Sequence, residues 1–252
     1  MKARQLRYVS QFHYPRRRVI RFVLRRLIHA AFSVLSDFQI IGRENLPKTG
    51  PLIVVANHFH FVDPVAVIRA TTWPLDFLGG FQLVDAPPAI AWIPKLWGYY
   101  TVRRGAVSRT AMRASMAVLA QRGVLGIFPE GGSWARVLRP ARPGAAYLAG
   151  QSGAPLLPIG LDGLVDLFPR VRRGHRSRVT VRIGTPFGPF QIAGQGSERR
   201  QRLEEIGNEI MMHIAELIPP ERRGVFSTDP QLRLAAMEAA VYPYDRLNDV
   251  PI

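Results

Sequence analysis

The reading of this chain turns on the stretch Leu52-Ile53-Val54-Val55-Ala56-Asn57-His58-Phe59-His60-Phe61-Val62-Asp63-Pro64. Its opening apolar run, with β-branched residues at the centre, suits a strand covered on both faces. The run stops at a polar loop, and Asp63-Pro64 is a helix start, with Asp as N-cap and Pro as the first helical residue. Outward from this unit the alternation continues. Short strands are expected over 38–41, 75–83, 99–102, 124–128, 156–161 and 179–183, and helices over 19–35, 64–71, 89–96, 107–122, 144–152 and 197–217. This pattern predicts an α/β fold: a mixed, largely parallel central sheet flanked by helices, with an N-terminal amphipathic helical appendage. Three segments follow: a basic segment over 1–36, one α/β domain over 37–223, and a tail over 224–252 whose weak periodicity predicts little order.

Composition narrows the function. At 47% hydrophobic and 21% charged residues over 252 positions, disordered and fibrous classes are excluded. The absence of cysteine removes disulfides, thiolate nucleophiles and cysteine zinc sites. Against 18 acids stand 34 Lys and Arg, a net charge of +16, which attracts polyanions: nucleic acid, anionic lipid or phosphorylated substrates. The longest uncharged stretch, 143–161, holds four glycines and three prolines and suits turns and a buried strand better than a membrane span. No signal peptide is read at the N-terminus, so the protein is expected at the cytoplasmic face of the membrane, peripherally held.

The first 36 residues carry nine Lys/Arg and no acid. Arg18, Arg21, Arg25 and His29 step along one stripe of a helix, and Ile20, Val23, Leu24, Leu27, Ala31, Val34 and Leu35 fill the opposite face. A helix of this kind suits an anionic bilayer interface. The alternative is a helix packed on its own domain with a solvated basic edge.

The densest polar constellation follows the 52–56 strand. Four residues separate His58 from Asp63, enough to fold them back within hydrogen-bond reach as an imidazole oriented by a carboxylate, a general base for a hydroxyl. Taken singly, Asp63 reads as a cap and His58 as a satisfied histidine. His58 and His60 as metal ligands is the competing reading, but Phe61 and Val62 stand where dinuclear metallohydrolases place further ligands, so no metal is expected. A second constellation, Phe128-Pro129-Glu130-Gly131-Gly132-Ser133-Trp134, offers backbone N–H groups to an anion at another strand end. A third, Gly98 to Arg104, presents the guanidinium groups of Arg103 and Arg104 for phosphate.

Together these blocks resemble the glycerolipid acyltransferase family. Asn57, His58 and Asp63 match its Asn-His, four residues, Asp box. Gly98 to Arg104 is similar to its second block, and Phe128-Pro129-Glu130-Gly131 reproduces the third unaltered. Leu156-Leu157-Pro158-Ile159 is similar to the Pro-centred fourth, and the resemblance runs from about 38 to 188. It implies His58 as general base, Asp63 orienting it, Arg104, Glu130 and Gly131 placing the acceptor's phosphate, and Pro158 lining the acyl side. It implies acyl-CoA or acyl-acyl carrier protein as co-substrate, a lysophospholipid as acceptor, an anionic membrane surface as partner, and no cofactor. The chain departs from the family where Gly132-Ser133-Trp134 replaces Thr-Arg-Ser, which leaves Arg136 or Arg139 to supply the missing cation, and where Arg103 precedes Arg104.

A second basic cluster, Arg170, Arg172, Arg173, Arg176, Arg178 and Arg182 around His175, is open to coenzyme A phosphates, an acidic carrier protein, lipid headgroups or plain solvent. No zinc-finger, RNA-recognition or basic-zipper pattern is found, so nucleic acid is not an expected partner.

Overall fold

The computed structural model describes residues 12–80, 93–102 and 109–240. Seven strands form one sheet: β1 (Ser36–Ile41), β2 (Leu52–Ala56), β3 (Asp76–Gly80), β4 (Tyr99–Val102), β5 (Val124–Ile127), β6 (Leu156–Asp162) and β7 (Ser177–Ile183). The helices are α1 (Arg18–Leu35), α2 (Asp63–Ala70), α3 (Ile93–Trp97), α4 (Arg109–Ala120), α5 (Pro143–Ser152), α6 (Leu167–Arg172), α7 (Gly196–Glu216) and α8 (Pro230–Ala240). Strand order is β1-β7-β6-β2-β5-β3-β4. Every pairing is parallel except β6 with β7, so β1 and β7 run against the other five strands. The fold is the expected α/β sheet, mixed and largely parallel, between two helical layers.

The period of two along each strand explains the layers. Leu52, Val54 and Ala56 of β2 enter one apolar cluster with Leu157, Ile159 and Leu161 of β6, under α1, α2 and α6. Ile53 and Val55 enter the other with Leu156, under α5 and α7. The central strands are therefore buried on both faces, as their unbroken apolar composition requires.

Three local expectations are corrected. Val62, not Asp63, occupies the cap position of α2, and no side-chain cap bond forms there. Asp63 is already helical, and its carboxylate turns back into the preceding loop. The tail after Arg223 is ordered as far as it is described: α8 follows a tight turn, and the peptide groups of Arg222 and Val225 bond both backbone groups of Leu138. That pairing depends on a chain reversal that carries no periodic signal in sequence.

The third correction concerns α1. Its basic stripe faces inward from Arg21 onward, while Arg18 stays exposed: Arg21 is buried, donates to the Trp97 and Pro74 carbonyls, and pairs with buried Asp76 at the start of β3. Arg25 donates to the carbonyls of Thr71 and Trp73. Most of the apolar side faces out, with Val23 49%, Leu27 61% and Val34 71% exposed, while Leu24 turns into the core. Arginines reach main-chain oxygens across the gap between helix and sheet, which an aliphatic side chain cannot satisfy. Among the described residues, no helix is long and apolar enough to cross a membrane.

Candidate active site

Five strands end at one edge of the sheet, and the two most distinctive sequence blocks follow two of them. Asn57 continues β2 by one residue: its Nδ2 donates to the Leu161 carbonyl (2.9 Å) and its Oδ1 accepts from the Leu161 N–H (2.7 Å). This buried clamp fixes the peptide immediately before His58. The sequence marks Asn57 as part of a block; the clamp itself spans 104 residues, beyond any local pattern.

His58 Nδ1 lies 2.9 Å from Asp63 Oδ2. The same oxygen accepts the N–H groups of Phe59 (2.7 Å) and His60 (2.8 Å), so the loop wraps the carboxylate and orients it. An ionised carboxylate accepts from Nδ1–H, which places the imidazole lone pair on Nε2. The ring stacks on Phe128 at 4.3 Å and retains 15% side-chain exposure, enough for a reactant to reach it. His60 takes another path, packed against Phe61 and Phe168. Among the described residues, no group of three or more metal-ligating side chains gathers.

Phe128 to Gly131 follow β5 and lie beside His58. Glu130 is buried; its Oε1 accepts the His58 N–H at 2.7 Å and its Oε2 accepts from Arg139 Nε at 3.1 Å. Arg139, also buried, donates to the Gly132 carbonyl, and its guanidinium lies 3.4 Å from the Trp134 ring centre. Burial pushes the Glu130 carboxyl up from 4.5 to about 7, against the opposing pull of Arg139 and the His58 amide. Glu130 and Arg139 thus form an internal strut joining the two blocks, rather than a surface presented to a phosphate.

Gly131 sits in a left-handed turn (φ 81°), and its N–H is used on the Phe128 carbonyl (3.0 Å). At Gly132 a Cβ would lie 2.3 Å from the Trp134 ring, so that ring's approach requires glycine. Ser133 is half-buried beside it, and Arg136 is exposed. Of the two arginines available to replace the missing cation, only Arg136 therefore reaches solvent. Pro158 lies buried inside β6 opposite Val55, three residues back along β2 from His58, not at the strand end. Arg103 and Arg104 lie outside the described residues.

Fold and site together define an α/β protein that holds a carboxylate-oriented histidine at the carboxyl edge of its sheet, beside a buried Glu–Arg strut. The sequence profile of the Acyltransferase family matches residues 37–162, half of the chain, and the chain belongs to that family. It is similar to a 1-acyl-sn-glycerol-3-phosphate acyltransferase of Borreliella burgdorferi, 28% identical over 154 residues that make up 58% of this chain and 60% of that one. It is also similar to 1-acyl-sn-glycerol-3-phosphate acyltransferase alpha of Mus musculus, 25% identical over 64% of this chain and 58% of that one. Among solved structures, the 1-acyl-sn-glycerophosphate (LPA) acyltransferase PlsC of Thermotoga maritima superposes with a TM-score of 0.52 at 26% identity, covering 79% of this chain and 83% of that one. The match spans about three-fifths of the length of these curated relatives.

Proposed function

We propose that this chain is an O-acyltransferase that moves a fatty acyl group from acyl-CoA or acyl-acyl carrier protein to the hydroxyl of a lysophospholipid, foremost 1-acylglycerol-3-phosphate, giving phosphatidate. The observation that carries the reading is the His58–Asp63 contact at 2.9 Å, with the Asp63 oxygen held by two loop amides. The acceptor O–H gives its proton to His58 Nε2 while its oxygen attacks the thioester carbonyl carbon. The C–S bond breaks, and the imidazolium returns the proton to the departing sulfur, leaving ester and free thiol. Asp63 stabilises the imidazolium between the two transfers. Such a base contributes about 10²–10⁴ in rate, and the bound geometry supplies the remainder. The reaction calls for no cofactor and no metal, because the thioester is already activated.

Glu130 and Arg139 act in this scheme by holding the His58 peptide, and exposed Arg136 is the phosphate contact. The outward apolar side of α1 is the membrane contact, at the cytoplasmic face where the acyl thioester is available. The test is thiol release from acyl-CoA with and without lysophosphatidate. Release that depends on lysophosphatidate and is lost in His58→Ala supports the reading, with Asp63→Asn lowering the rate without abolishing it. Equal release in wild type and His58→Ala overturns it. Arg136→Ala raises the acceptor KM, and an unchanged KM removes that residue from the site.

A further inference from the structure

Among the arginine-bearing stretches of this sequence that contain no carboxylate are 1–36, and 167–197, which carries Arg170, Arg172, Arg173, Arg176, Arg178 and Arg182. Far apart in the chain, they meet in the fold. β1 and β7 pair in parallel with Ser36 opposite Ser177, and Arg176 donates to the carbonyls of Ser33 (3.0 Å) and Ser36 at the end of α1. Because β1 and β7 run against the other strands, this junction lies at the edge of the sheet that carries His58. α6 lies in the same layer as α1 and packs there through Leu167, Phe168 and Val171. Phe168 also stacks on Phe61 of the His58–Asp63 loop.

The charged side chains that α6 and its turn send outward are all arginines, with exposed Pro169 and His175 between them and exposed Asp166 at the helix cap. Arg170, Arg172, Arg173, His175 and Arg176 are exposed, and among the described residues none of them pairs with a carboxylate. An apolar helix face and an unneutralised basic turn thus adjoin at the catalytic edge. We propose that the α6–β7 turn, Arg170–Arg176, is an electrostatic foot that binds the phosphates of an anionic phospholipid surface and, with α1, sets the catalytic edge against the leaflet. The proposal rests on the membrane association inferred above. α1 supplies affinity for any bilayer through its apolar side, and the foot supplies selection for anionic lipid.

The test compares the full chain with Arg170→Gln/Arg172→Gln/Arg173→Gln, leaving Arg176 in place because it holds the end of α1. Binding is measured by flotation with phosphatidylcholine vesicles and with phosphatidylcholine–phosphatidylglycerol vesicles, at low and high salt. At low salt, three lost charges lower affinity for the anionic vesicles roughly 100-fold, the product of about one kcal/mol each and a tenfold change per 1.4 kcal/mol. The salt dependence becomes shallower, and binding to phosphatidylcholine alone does not change. A triple variant that floats with anionic vesicles as the wild type does overturns the foot while leaving membrane association intact. A wild type that floats with neither vesicle overturns both. A variant that keeps vesicle binding but loses turnover only when acyl carrier protein is the donor overturns the foot, and assigns the turn to the carrier protein instead.

Discussion

Two buried arginine–carboxylate pairs stand at opposite edges of one sheet, and they do different work. Arg21–Asp76 lies where β3 begins, and Arg139–Glu130 lies beyond the end of β5. In both, neither side chain is more than 3% exposed. The difference lies in their other partners. Asp76 Oδ1 also accepts from Arg16, and Arg21 donates to the Pro74 and Trp97 carbonyls, so that pair fastens α1 and the residues before it to the loops around the start of β3. Glu130 gives its second oxygen to the His58 amide, so that pair reaches the residue proposed as base. A buried ion pair is therefore classified by where its remaining hydrogen bonds go, not by its burial.

The sharpest way to break this comparison is to neutralise each carboxylate. Measured at about pH 8, above the value near 7 where folded Glu130 gives up its proton, Asp76→Asn and Glu130→Gln each leave a buried guanidinium uncompensated, at a cost of about 3–5 kcal/mol in denaturant unfolding. Only Glu130→Gln also lowers kcat per folded molecule, by about 10–100-fold, the equivalent of one hydrogen bond to a charged group. Acceptor KM stays unchanged in that variant; a raised KM with normal kcat would put Glu130 on the substrate instead. Loss of kcat in folded Asp76→Asn would erase the distinction between the two pairs.

The Glu130 pair also carries a pH signature. The folded protein keeps the Glu130 proton up to about pH 7, whereas an unfolded glutamate releases it near 4.5. The folded state thus binds more protons between those values, and this group's contribution to stability falls as pH rises from about 4.5 to about 7. Unfolding free energies across that window show the decline in the wild type and a flatter profile in Glu130→Gln. The smallest effect is expected at an exposed pair of the same chemistry. Arg202 and Glu205, 3.0 Å apart on α7 and 41% and 49% exposed, are screened by water. Arg202→Ala shifts stability by about 0.5 kcal/mol or less, and a shift comparable to that of Asp76→Asn would make burial irrelevant to the contrast.

Periodicity made the sheet and most helices legible, because strands buried on both faces write unbroken apolar runs and α7 writes a clear stripe. The spacing of His58 and Asp63 made their contact legible, since a loop of four residues leaves few ways to close. The sign of α1 was not legible. Its stripe is visible in the sequence, but which side faces the sheet depends on the carbonyls of Thr71, Trp73, Pro74 and Trp97, which no local pattern encodes. The partners of Arg139 were not legible for a related reason. An arginine near a strand end looks like a phosphate ligand until the irregular loop brings it back to Glu130. The ordered segment beyond Arg223 was hidden because its anchor is the peptide of Leu138, reached through the fold rather than along the chain.

Asn57 carries one more consequence. Its side chain occupies both backbone groups of Leu161, so the last rung between β2 and β6 is made by an amide side chain in place of a second peptide. The Leu161 amide proton is then a built-in reporter. It exchanges with solvent deuterium only when Asn57 lets go, and Asn57 lets go only when the peptide before His58 leaves the sheet. Slow exchange at that single position reads the closure of the sheet edge beneath His58 without substrate, and Asn57→Ala turns the same signal fast while β2 and β6 stay paired behind it.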